Sequence, residues 1–254
     1  MLQRPLIPRC CGSALRFLLV LAACLVLPLS ARAVLLTVNN PSFESPGAAG
    51  GVFVGGTSTG PTNWTVYNTG STGNTRFFGV WNPATTTSFI DPVPSGTNIG
   101  VVFLDDNAGR EAGLRQTLAA TLQISTQYTL TVAVGNFRPS VGDPWNFAGF
   151  PGYRVDLLAG TLVLASDNNT LSPDEGRFLT STVSFTTGLS HANAGQALAI
   201  RLVSLNGPGV EVNFDNVLLD ATAIPEPTSA GLVALAAVLL LRPRRFSRGC
   251  LRQR

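Results

Sequence analysis

The sequence predicts an all-β fold: a jelly-roll-like antiparallel β-sandwich, flanked by an N-terminal signal helix and a short C-terminal membrane helix. Three observations lead there. Period-two alternation of apolar and polar residues recurs through the middle of the chain, helical periodicity is nearly absent from it, and the two long apolar runs sit at the extremes. The expected division is residues 1–33 as a signal peptide, 34–221 as the sandwich domain and 222–254 as a C-terminal sorting segment.

The N-terminal element comes first. Arg4, Arg9 and Arg16 accompany an almost continuously apolar run, Phe17–Leu29, and Ala31-Arg32-Ala33 supplies a small-x-small cleavage pattern. The mature chain is therefore expected to begin near Val34. The run is short against the roughly 20 residues of a spanning helix, which favours cleavage over an uncleaved anchor. Leu21-Ala22-Ala23-Cys24 also resembles a bacterial lipobox with Cys24 as the lipidated residue, although the chain stays apolar beyond it.

Charge and cysteine placement define the body. All 17 basic residues are Arg, and residues 34–224 hold seven of them against 13 acidic residues, a net charge of 7 − 13 = −6. An acidic body without a basic stripe argues against nucleic-acid binding, which needs cations to neutralise phosphates. Cys10, Cys11, Cys24 and Cys250 all lie outside this region. The body thus has no disulfide framework, thiol nucleophile or Cys-ligated zinc.

Its strands follow from alternation. Tyr128, Leu130, Val132 and Val134 share one face; Tyr153, Val155 and Leu157 oppose Arg154 and Asp156; Leu198, Ile200 and Leu202 oppose Ala199 and Arg201. Further strands are expected at Leu35–Val38, Trp64–Tyr67, Arg76–Trp81, Ile99–Leu104, Leu162–Ala165 and Leu179–Phe185, with Gly, Pro, Asn, Asp and Ser between them. About ten short strands punctuated this way imply a sandwich or jelly roll. Gly47–Gly60 reads as a long loop and Ala221–Ile224 as a linker. In the last strand, Val210, Val212 and Phe214 share a face but Val217 and Leu219 have the opposite parity, so a bulge is expected at Asp215-Asn216.

The C-terminal element is Pro225-Glu226-Pro227, the apolar run Ser229–Leu241, then Arg242-Pro243-Arg244-Arg245. Prolines keep the first part extended, and an Arg cluster stays cytoplasmic by the positive-inside rule. This order resembles the PEP-CTERM sorting signal. The resemblance implies processing by an exosortase, with Pro225, Glu226, Pro227, Arg242, Arg244 and Arg245 as the signal. Together with signal peptidase at the other end, it implies export across the inner membrane, transient anchoring there, and a final place at the cell surface or in extracellular matrix.

A second resemblance rests on Asn39-Asn40-Pro41-Ser42-Phe43-Glu44, Trp64, and Val212-Asn213-Phe214-Asp215-Asn216-Val217. These residues look like the edges of galactose-binding-like jelly rolls, including carbohydrate-binding modules, whose first and last strands meet and often share a structural calcium. The resemblance implies Glu44 and Asp215 as its carboxylate ligands; capping of turns is the plainer role for both. For glycan binding, Trp145 and Phe147 lie in the Gly/Pro-rich segment Pro139–Gly152 beside Arg138 and Asn146. Aromatic faces and polar groups of this kind can hold a sugar ring, while simple loop packing is the alternative. Trp64 and Trp81 are expected in the core.

Signals for catalysis are weak. Asp105, Asp106 and Glu111 form the densest acidic cluster, yet Asp105-Asp106-Asn107 also reads as a turn after a strand. Paired carboxylates serve glycoside hydrolysis only at a suitable separation. His191, the one histidine, lies in a polar stretch without a nucleophile elbow. The expectation is a non-catalytic envelope or matrix protein associating with exopolysaccharide. A purely structural surface protein and a glycan-acting hydrolase are the alternatives.

Overall fold

The computed structural model describes residues 32–70, 76–84, 87–105, 110–139, 147–205 and 209–225. These residues form twelve strands and, among them, no helix. In chain order the strands are β1 Ala33–Leu36, β2 Phe53–Gly56, β3 Thr65–Asn68, β4 Arg76–Trp81, β5 Ile99–Leu104 and β6 Ala112–Thr121. They continue with β7 Thr126–Asn136, β8 Tyr153–Ala159, β9 Leu162–Asn168, β10 Arg177–Thr186, β11 Ala197–Ser204 and β12 Val210–Ala223. The helices expected at both termini lie outside the described residues.

The strands build two antiparallel sheets, a β-sandwich. The larger runs β10-β7-β12-β5-β4-β2, with β1 also paired to β12; the smaller runs β3-β6-β11-β8-β9. Leu114, Leu118, Leu130, Val132, Val155, Leu157, Leu198, Ile200, Val212 and Phe214 fill the space between them. These are the inward-facing members of alternating strands, which is why period two was the controlling signal. Trp64 joins this core. Trp81 does not: it belongs to a second apolar cluster with Ile99, Val101 and Phe137. At one rim the sheets are tied by polar contacts, since Tyr153 Oη and Ser181 Oγ each donate to Asp167 Oδ2 at 2.5 Å.

Several elements differ from expectation. The Gly47–Gly60 loop contains β2, whose Gly55 faces Gly79 of β4, and the Phe53 ring lies so close that a Cβ on either glycine would meet it. β6 was not expected at all. Residues 221–223, read as linker, continue β12. The slip in β12 is present: its register with β7 shifts between Asp215 and Leu218, and Asn216 takes a positive φ of 49°. Beyond the slip β12 pairs with β1, Ala33 opposite Thr222, so the first and last strands meet.

Candidate active site

On β12, Val212 and Phe214 point between the sheets, so Glu211, Asn213 and Asp215 point to the outer face. An acid there would ordinarily stand in water. Glu211 is instead only 6% exposed. Burial pushes its carboxyl up to about 7, against a partial lowering by the Asn213 amide, which donates to Glu211 Oε1 at 3.0 Å. Among the described residues no cation pairs with it, and desolvation is the larger influence on its protonation.

Aromatic rings make the cover. Phe103 of β5 is the register partner of Glu211 on one side; on the other, Phe137 follows Asn136, the β7 partner of Val212. Phe147 bridges these two rings, with centroids 4.8 Å from Phe103 and 5.7 Å from Phe137. The rings of Trp81 and Phe137 lie 5.7 Å apart. Yet Trp81 sits on β4, and β5 and β12 separate β4 from β7. Strands three positions apart are about 14 Å apart, so these two side chains reach over the strands between them. Phe89 extends the layer, stacked on Phe178 at 4.6 Å, and the Phe178 ring lies against Gly135, where a Cβ would collide with it. The result is an acid of raised pKa and an amide on a central strand, roofed by aromatic faces.

The expected site residues scatter. Trp145 and Asn146 lie outside the described residues, while Phe147 is part of the roof. Arg138 is engaged through its guanidinium with the Thr87 carbonyl. Glu44 and Asp215 do converge on one loop. Glu44 accepts from Thr97 N at 2.8 Å, Thr97 Oγ1 at 3.0 Å, Asn98 N at 2.8 Å and Asn98 Nδ2 at 3.0 Å; Asp215 Oδ2 accepts from Ser95 N at 2.8 Å. Asp215 is raised to about 7, first by burial, with repulsion from Glu44 adding to it. Among the described residues no cluster of three or more His, Cys, Asp or Glu is placed to hold a metal. Pro225 ends the described chain; Glu226, Pro227, Arg242, Arg244 and Arg245 lie outside it.

Glu111 is drawn away from Asp105 into an ion network on the outer face of the smaller sheet. Arg154 holds it bidentately at 2.6 and 2.7 Å, which keeps its carboxyl below the usual range. His191 packs edge-on against Phe185, and its Nδ1 accepts from Asn193 N at 3.1 Å, a loop role.

The sequence profile of the HpiC1-like family, described as HpiC1 cyclase, matches residues 34–220. The chain belongs to the HpiC1-like cyclase family. A cyclase from Fischerella sp. in its apo form is 36% identical at a TM-score of 0.68, the alignment covering 76% of this chain and 98% of that one. The Stig cyclase Fisc from Fischerella sp. TAU, in complex with (3Z)-3-(1-methyl-2-pyrrolidinylidene)-3H-indole, is also 36% identical at 0.68, covering 76% and 100%. A Fischerella sp. TAU cyclase in complex with 4-(1H-indol-3-yl)butan-2-one is 37% identical at 0.66, covering 76% and 100%. No curated protein matches the chain.

Membership in this family corrects several expectations. The family is HpiC1-like, and identification as a PEP-CTERM protein with a galactose-binding-like domain is overturned: it rested on short motifs at the edges, whereas the family match spans the whole sandwich. A non-catalytic matrix protein is replaced by a member of a family of cyclases, so the expectation of no enzyme fails with it. Exosortase, signal peptidase, inner membrane and exopolysaccharide as partners give way to the small indoles held by the relatives. The physical reason is the outer face of the larger sheet. Phe147, taken for part of a sugar platform, packs there against Phe103 and Phe137 beside a buried acid.

Proposed function

We propose that this chain is a cyclase acting on an indole-bearing substrate, with Glu211 as its proton donor. The observation that carries the reading is the buried Glu211 beneath aromatic rings, with no cation paired to it among the described residues. A carboxyl raised to about 7 is still largely protonated at weakly acidic pH and can both give up and take back a proton near neutrality. Transfer from the Glu211 oxygen to an unsaturated carbon breaks the O–H bond, forms a C–H bond and leaves a carbocation beside a carboxylate. A π-bond of the same substrate attacks that cation and closes the ring. Loss of a proton to the Glu211 carboxylate then restores the acid, so the sequence is an isomerisation needing no oxidant. The faces of Phe103, Phe137 and Phe147 favour the cationic stage, and their cover excludes water that would trap it. Indole-bearing substrates are supported by the complexes of the relatives.

The test is Glu211→Gln, assayed with an indole carrying a tethered alkene. Ligand binding is expected to survive while cyclisation falls by about 10²-fold or more. Cyclisation at the wild-type rate would remove Glu211 from the chemistry.

Three further readings are part of the proposal. The sheet orders support a jelly-roll arrangement of the sandwich. Export is supported by the signal pattern of residues 1–33, with the family match starting at 34; recovery of the protein from the extracellular fraction would test it, and its retention in the cytosol would remove it. A calcium ion is supported by Glu44 and Asp215, hard oxygen donors that repel one another across a shared loop. Glu44 is already satisfied by its four donors, so Asp215 is the group that needs the counter-charge. The ion would tie the loop at residues 95–98 to β12.

A further inference from the structure

Two residues beyond Glu211 on the same face, Asn213 is 0% exposed. Its Nδ2 donates to Glu211 Oε1, and its Oδ1 has no hydrogen-bond partner. A buried amide oxygen left unpaired is costly, and a side chain of similar size without polar atoms would avoid that cost. Other buried acceptors without a partner, the Oδ1 atoms of Asn98 and Asn136, belong to a loop and to the end of β7. Asn213 is the one beside the acid, on a central strand, on the face roofed by Trp81 and Phe137. Its neighbours across the sheet offer no donor there: Val101 of β5 is apolar, and Gly135 of β7 has no side chain and carries the Phe178 ring.

We propose that Asn213 Oδ1 is the specificity-determining acceptor of the site, reading a ring N–H of the substrate. The inference rests on the cyclase reading of Glu211 and deepens it by naming the substrate class: aromatic heterocycles with an N–H donor, in preference to isosteres without one. With Nδ2 fixed on Glu211 Oε1, the amide cannot turn its nitrogen to the ligand. Recognition of the N–H and placement of the acid are therefore coupled through one side chain. A substrate seated on Oδ1 has its bicyclic ring against the aromatic roof and its reactive carbons within reach of the free carboxyl oxygen.

Calorimetric titration of the full chain with indole and with benzofuran tests this, because the two rings match in size and only indole carries the N–H. Wild type is expected to bind indole about tenfold more tightly or better. Asn213→Leu is expected to bind both alike, at the benzofuran level. Equal affinity of wild type for the two ligands would overturn the assignment, and that comparison stands even if the variant fails to fold. Discrimination retained in a folded Asn213→Leu would overturn it too. Binding of neither ligand by wild type would overturn the aromatic site itself, and this inference with it.

Discussion

Asp156 and Glu211 stand on the outer faces of the two sheets, each on a strand with neighbours on both sides, and both are buried. Their surroundings are opposite. Asp156 is held by Arg154 at 3.1 Å and by Arg201 at 2.6 Å, with Ser166 Oγ donating at 2.6 Å; the Arg201 guanidinium also lies 4.5 Å over the Tyr67 ring. Glu211 has one amide and a layer of rings. A paired acid serves as a structural fixture. An unpaired one keeps its proton, and a proton held at the edge of release is a reagent. One sheet face thus locks strands together, and the proposed chemistry lies on the other.

The comparison breaks first at Asp156. Asp156→Ala leaves Arg154 and Arg201 without their shared buried partner and is expected to cost about 3–5 kcal/mol in denaturant unfolding. A loss below about 1 kcal/mol would show the network to be no more than surface pairing.

Glu211→Gln is expected to act in the other direction. The folded-state value of about 7 lies above the ordinary 4.5. The folded chain holds this proton more tightly than the unfolded one, so ionisation opposes folding. The penalty is absent below the unfolded value, grows through the interval and is complete above the folded one. The variant should therefore gain about 3 kcal/mol over wild type in mildly alkaline solution and nothing in acid. A gain independent of pH would point to packing instead.

The smallest effect concerns the domain edge. EDTA is expected to lower the melting temperature of wild type by a few degrees and to leave Asp215→Asn unmoved, consistent with the stabilisation a bound ion gives by mass action. An unchanged wild-type melting curve would remove calcium from the account.

Much of the sandwich was legible because its strands follow simple patterns. RFFGVW and IGVVFL became β4 and β5 at the expected boundaries. β6 was hidden by its composition: AGLRQTLAAT has two threonines as its only β-branched residues. Its inward series Ala112, Leu114, Gln116, Leu118 is also interrupted by a glutamine that bonds the Asn39 backbone in both directions. β2 was hidden because its fit depends on two glycines meeting across strands, a long-range fact. Glu211 was missed for a subtler reason. VEVNFD alternates as a strand with one wet face does, and that pattern gives no sign that Glu211 and Asn213 are buried. The signal that could have found them lay next door. β4 and β5 are apolar on both parities, with Phe77, Trp81, Ile99, Val101 and Phe103 on the face away from the core, which marks a sheet covered on both sides. β12 lies next to β5 in that sheet, so its outward polar residues fall under the same cover.

The most direct test of the proposed role is to titrate the Glu211 side-chain carboxyl by carbon-detected NMR, assigned by its absence in Glu211→Gln. A midpoint near 7 is expected, well above the ordinary carboxylate value of 4.5. A midpoint at the ordinary carboxylate value would mean that the acid is ionised and solvated, and the proposed proton donor would be lost.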